Sequence, residues 1–99
     1  MARKQVSNSK LTDLQKEELR AFKEDYPRIE FVSYGRVTLA IDWDNMLVGF
    51  SAASPTEKKF RRKVGEYHAM RRLDTCAETF TEYHNTNDLF IRAYRAFGI

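Results

Sequence analysis

The run Val37-Thr38-Leu39-Ala40-Ile41-Asp42-Trp43 limits the fold more than any other feature of this chain. Its large apolar residues recur at every second position. Val37, Leu39, Ile41 and Trp43 therefore share one face of an extended strand. The flanking segments follow suit. Ile29-Glu30-Phe31-Val32-Ser33 is rich in β-prone residues and is punctuated by Tyr34-Gly35. After Asp44-Asn45, a hairpin-turn pair, comes Met46-Leu47-Val48-Gly49-Phe50-Ser51. Three such runs in succession read as an antiparallel meander. Gly49 marks either a bulge or a place where a helix or ligand approaches closely.

On both sides of the meander the period changes to 3.6. Leu11, Leu14, Leu19, Ala21 and Phe22 fall on one arc, with Asp13, Lys16, Glu17, Arg20 and Glu24 mostly elsewhere, which predicts an amphipathic helix from Leu11 to about Glu24. Thr12 and Gln15 form a capping-box pair at its start, and Pro27 ends it. Ser54-Pro55-Thr56-Glu57 reads as a second helix start: Ser at the N-cap, Pro at the first position and Glu closing the capping box. That helix is expected to reach Arg72 or Leu73. Phe60, Val64, Tyr67 and the stem of Arg71 stack on one side, and Lys58, Arg61, Arg62 and Arg72 lie on the opposite arc. Gly65 inside it costs about 1 kcal/mol against Ala, which is consistent with close packing on the sheet. Residues 74–84 either prolong this helix or form another. Asn85-Thr86-Asn87-Asp88 is a turn and N-cap cluster, and Leu89 to Phe97 reads as a short helix stopped by Gly98. The expectation is an α+β domain: an N-terminal helix, a three-stranded antiparallel meander, and two or three C-terminal helices packed on one face of the sheet.

Size and composition bound the rest. Ninety-nine residues make one domain, expected over 11–99 behind a frayed basic segment, 1–10. Hydrophobic residues at 42% and aromatics at 13% supply a core, although a modest one. Cys76 is the only cysteine, so no intramolecular disulfide forms, which fits a reducing cytoplasm. No apolar run approaches a membrane span, and no apolar stretch follows the basic start as a secretory signal requires. The formal net charge is +3. Its distribution matters more: acids crowd the segment from Asp13 to Glu30, whereas residues 58–72 carry seven of the 17 Lys and Arg.

Chemistry is thinly represented. Asp42 and Asp44, two apart on a strand, would align as a carboxylate pair, but no further acids or Lys stand at the spacing of a metal-dependent nuclease. His68, His84 and Cys76 match no zinc pattern. Gly35, Gly49, Gly65 and Gly98 are isolated and form no phosphate-binding loop. The pattern requires no metal and no cofactor and points away from an enzyme. The residues that stand out are basic: Lys58, Arg61, Arg62, Lys63, Arg71 and Arg72 on the second helix, and Arg92 and Arg95 beside Phe90, Tyr94 and Phe97 on the last. They suit phosphates, or the Arg-rich anchors of a protein interface. A solvated helix face is the plain alternative.

The segment Gly49-Phe50-Ser51, Ser54-Pro55, Glu57, Phe60, Arg62-Lys63, Gly65, Ala69 and Arg72 resembles a stretch of small tailed-bacteriophage proteins, over about a quarter of the chain. Some phage proteins of this build neutralise host defences, either by sequestering a cyclic nucleotide signal or by disabling a host enzyme. Others protect phage DNA ends from exonuclease. The resemblance implies a cytoplasmic accessory protein that binds and inhibits or redirects a host nucleic-acid-processing or defence enzyme. Direct binding of an anionic ligand, nucleic acid or a signalling nucleotide, is the alternative. A homodimer would bury aromatic residues of the last helix.

Overall fold

The computed structural model describes residues 10–54 and 60–99. The expected fraying of residues 1–9, Lys58, and most of the Ser54-to-Glu57 capping box lie outside the described residues. The elements run α1 (Asp13–Asp25), β1 (Glu30–Tyr34), β2 (Val37–Asp42), β3 (Leu47–Ala52), α2 (Arg62–Cys76), β4 (Glu78–Thr79) and α3 (Thr86–Phe97). The sheet is antiparallel throughout, in the order β1-β2-β3-β4. The α+β class and the three-stranded meander stand as read. A short fourth strand, β4, adds to the β3 edge through Leu47↔Thr79 and Val48↔Glu78. It answers the open question of residues 74–84: helix to Cys76, then strand.

Local chemistry explains the helix ends. Thr12 and Gln15 make the reciprocal capping box at α1, with Thr12 N donating to Gln15 Oε1 at 2.9 Å and Gln15 N to Thr12 Oγ1 at 3.2 Å. Asn85 and Asp88 do the same for α3. Gly98 then closes α3 in the left-handed conformation (φ 71°). The second helix departs from expectation. It begins at Arg62, with Arg61 as an extended N-cap, so Ser54 does not start it. Phe60, just ahead of it, packs back on the helix: its Cζ lies 3.4 Å from where a Cβ on Gly65 would stand. Residues five apart on a helix point in different directions, so this contact needs a non-helical chain at Phe60.

Both faces of the sheet are covered: α3 lies on one and α2 on the other. The expected packing of the C-terminal helices on one shared face does not hold, because strand alternation makes one face large and apolar and the other small enough to seat a helix backbone. Val37, Leu39, Ile41, Val48, Phe50 and Ala52 form one core with Leu89, Ala93 and Phe97 of α3. The strand ends at Asp42, yet Trp43 keeps to this side, stacking edge-on against Phe80 at 5.4 Å. The opposite face presents Thr38, Ala40, Gly49 and Ser51, and α2 lies on it. Ser51 Oγ donates to the Gly65 carbonyl at 2.8 Å, and Thr38 and Ser51 are 0% and 2% exposed. Small side chains let the helix backbone come close. A Cβ on Gly49 would stand 2.9 Å from Leu73 Cα, and nearer still to the Ala69 carbonyl oxygen and the Leu73 amide nitrogen. The sequence reading of Gly49 and Gly65 as close-approach positions therefore holds. α1 completes this layer, its Leu19 packing with Leu11, Val64, Tyr67 and Met70.

His68 gives the layer a pH dependence. Burial first, and Arg72 beside it, push its pKa below the usual 6.5. As pH falls, the unfolded chain takes the proton first. The stabilisation is complete above pH 6.5 and is lost as pH drops through the lowered folded value. Thermal midpoints between pH 8 and 5 should therefore decline from about pH 6.5 downward, and His68→Gln should flatten that decline. An unchanged profile would contradict this account.

Candidate functional site

α1 and α2 run in the same sense. Leu11 and Lys16 lie with Lys63 and Val64 at one end, and Ala21, Phe22 and Tyr26 with Met70, Leu73 and Asp74 at the other. The connection between them explains the sense: an odd number of antiparallel strands brings the chain back in its original direction. The start of α1 thus lies near the start of α2, although Lys63 also faces a groove that runs along α1 from Asp13 to Glu24.

A groove of about 290 Å³ opens there, walled by Lys10, Leu11, Lys16, Phe60, Arg61, Arg62, Lys63 and Val64. Five of those eight residues are cations. Acids stand close by: Asp13, Glu17 and Glu24 line an adjoining groove with Lys16 and Lys63. Arg20 bridges Glu17 and Glu24, and this contact holds the Glu17 carboxyl below its usual range. Glu66, 6% exposed, receives Lys23 Nζ at 2.7 Å and has Arg62 Nε at 3.6 Å, tying α1 to α2. Tyr67 donates to Glu18 at 3.2 Å across the same seam.

The start of α2 is built against its own dipole. A helix N-terminus carries a partial positive charge and favours acids and a side-chain cap. Here the N-cap is Arg61, which makes no side-chain cap bond, and the first turn holds no acid. Arg62 and Lys63 stand there instead. The first helical bond runs from Gly65 N to Arg61 O at 3.2 Å, so the amides of Arg62, Lys63 and Val64 precede it. Side-chain charge, amides and dipole all present the same sign at one place, an arrangement that suits a bound anion. It costs stability without one. Arg61→Ser should raise stability by about 1 kcal/mol by supplying the missing cap, with urea denaturation as the measurement; no gain would show that the terminus is already satisfied.

The eight cations singled out in the sequence do not form one surface. Arg61, Arg62 and Lys63 gather at the groove. Arg71 and Arg72 sit near the far end of α2, about 15 Å along the axis from Arg62. Arg71 lines a separate groove with Glu18, Asp25, Asp42 and Asp74. Arg92 is a structural clasp: its Nη1 donates to the Thr79 carbonyl at 2.9 Å, and Nη2 lies 3.7 Å from Glu78, fastening α3 to β4. Arg95 is exposed in the last turn of α3, on the other layer. The opposite arc expected for Arg61, Arg62 and Arg72 does not exist as a continuous face, because α2 is buried on most sides between the sheet and α1. Sequence reasoning missed Lys10 and Lys16, placing Lys16 on a solvent arc. The odd strand count was the signal that puts the start of α1 beside the start of α2.

Asp42 and Asp44 do not act as a pair. Asp42 caps the hairpin loop, accepting from Asn45 N at 3.1 Å and Asn45 Nδ2 at 2.8 Å, and Asp44 pairs with Arg28 at 3.1 Å. Among the described residues, no three His, Cys, Asp or Glu side chains are placed to hold a metal ion. No described helix is long and apolar enough to cross a membrane. Comparison with protein-family models, with characterised proteins and with solved structures found no match to this chain.

Proposed function

We propose that this chain is a binding module, without catalytic activity, that engages the phosphate backbone of a nucleic acid at the groove between the starts of α1 and α2. One observation carries the reading. The N-terminus of α2 gives up an acid, a cap and favourable dipole interactions, and places Arg61, Arg62 and Lys63 there instead. Departures from local rules of this kind concentrate at functional sites. Five cations set an upper bound on the salt response, a log–log slope of about −4.5 on duplex DNA.

The test is paired charge reversal. Arg62→Glu with Lys63→Glu should lower affinity for a nucleic acid at least tenfold in a fluorescence anisotropy titration. Arg71→Glu with Arg95→Glu, equal in charge but away from the groove, should have a much smaller effect. Equal losses from both pairs would reduce the site to net charge and sink the assignment.

A second reading, docking on a host enzyme, is favoured by the far end of the α1–α2 layer. There a groove of about 510 Å³ combines an apolar floor, including Phe22, Leu47 and Met70, with the carboxylates of Glu18, Asp25, Asp42 and Asp74. Basic, nucleic-acid-facing surfaces of a partner would complement it. Under this reading, reversal of Asp25 and Asp74 weakens the partner complex while nucleic-acid binding persists.

A further inference from the structure

The outer face of α3, on the layer opposite the α1–α2 grooves, is apolar at its centre. A groove of about 600 Å³ runs between the β1–β2 turn and α3, walled by Tyr34, Phe90, Ile91 and Tyr94 with four neutral polar residues. None of the described residues that wall it is charged, unlike the grooves of the other layer. Ile91 also lines the next groove, beside Tyr83, so the two join into one patch. Tyr34, Tyr83 and Ile91 are 70%, 87% and 50% exposed. Contiguous exposed apolar surface of this kind marks an interaction site. The patch is also ordered in advance. The Tyr94 hydroxyl donates to the Tyr34 carbonyl at 2.9 Å, and the Tyr34 ring meets Phe90 edge-on at 6.0 Å. Aromatic residues already held in place lose little entropy on contact, and protein interfaces favour aromatic centres depleted of charge.

We infer that this face pairs with the same face of a second copy of the chain, α3 antiparallel to α3, about a two-fold axis at Ile91. The order of residues along α3 carries the assignment. Asp88, Ile91 and Arg95 follow at i, i+3 and i+7 and share one stripe of the helix. An isologous interface requires a patch that complements itself. Read in reverse, acid–apolar–base is its own complement. Antiparallel pairing sets Ile91 against Ile91, and Asp88 of each copy against Arg95 of the other. Parallel pairing would set acid against acid and base against base. Arg92, one turn after Asp88, is already committed to Thr79 and Glu78. The area is adequate as well. At about 150–250 Å² for a whole aromatic side chain, the exposed parts of Tyr34 and Tyr83 offer about 240–390 Å². That is roughly a third to a half of the share each partner gives to a standard interface, about 800 Å².

Sedimentation equilibrium of the full chain, from about 1 μM to 1 mM, tests the pairing. The mass should rise with concentration from that of one chain toward that of two. Ile91→Asp places two carboxylates on the axis and should raise the dissociation constant at least tenfold, with circular dichroism melting to check that the monomer is folded. Arg95→Glu, at an exposed position, should do the same by setting like charges opposite each other, and so should Asp88→Lys. An equimolar mixture of these last two variants should recover the dimer. Asp88 then meets Arg95 at one end, and the introduced Glu meets the introduced Lys at the other. Asp88 also caps α3, but a lost cap weakens the variant alone and in the mixture alike, so recovery on mixing isolates the contact between copies. A chain that keeps the mass of one copy at the highest concentration overturns the inference and leaves the face to a different protein. A dimer that Ile91→Asp leaves intact overturns it by placing the interface elsewhere. A mixture no tighter than its components overturns it by removing the antiparallel register.

Discussion

Gly49→Ala should destabilise the fold by about 3 kcal/mol or more, at the upper end for inserted methyl groups. The added Cβ would meet the Ala69 carbonyl oxygen and the Leu73 amide nitrogen, with Leu73 Cα at 2.9 Å. All three are backbone atoms of α2, so trimming a side chain gives no relief; the helix itself must lift from the sheet. Lifting it strips cover from Thr38 and Ser51 and breaks the Ser51–Gly65 hydrogen bond. In a domain of this size 3 kcal/mol corresponds to a fall of about 12–24 °C in Tm. Any binding at the groove proposed above should weaken with it, since α2 lines that groove. Circular dichroism melting of the variant decides the matter: a loss under 1 kcal/mol would mean that the helix–sheet approach is looser than the structure has it.

The neighbouring residue should fail for the opposite reason. Phe50→Ala removes a ring that is 1% exposed from the core between the sheet and α3. Large-to-small changes of this kind cost about 3–5 kcal/mol, combining lost transfer energy with the cavity left behind. For a chain whose whole stability is about 5–15 kcal/mol, the variant should be at the edge of folding at 37 °C. Phe50→Leu keeps most of the apolar volume and should retain a cooperative transition. Equal losses from Leu and Ala would show that ring shape, not cavity volume, governs the site. Adjacent residues thus have opposite tolerances because strand alternation sends them to different layers: Gly49 faces a helix backbone and Phe50 faces side chains.

Much of this was legible in the chain. Thr12 with Gln15, Asn85 with Asp88 and Gly98 announce helix ends through bonds made within four residues. The alternation of Val37, Leu39 and Ile41 announces the strand and its buried face in the same local way. The start of α2 was misread for a physical reason. Ser54-Pro55-Thr56-Glu57 has the local chemistry of a cap, but α2 begins at Arg62 behind an extended Arg61, with Phe60 packed against Gly65. Side-chain packing at the helix start, which a capping pattern does not encode, set the boundary.

The candidate site was legible in part. Arg61, Arg62 and Lys63 were visible as a basic run, and they do stand together. Arg92 looked the same in sequence and is a clasp, because only the position of β4 shows what its guanidinium meets. Lys10 and Lys16 join the site from about 50 residues away, and Arg71 and Arg72 leave it for the opposite end of the same helix.

By itself the sequence determined the periodic elements, their caps at α1 and α3, the α+β class and a surplus of cations near the start of α2. Those properties depend on residues close along the chain. Tertiary structure alone decided that Thr38, Ser51 and Gly49 lie under a helix, that β4 and Arg92 fasten α3, and which cations share a groove. Polar and small residues on a strand read equally well as a solvent face or as a seat for a helix backbone. The choice depends on what packs against them, and that is set by chain direction and distant contacts.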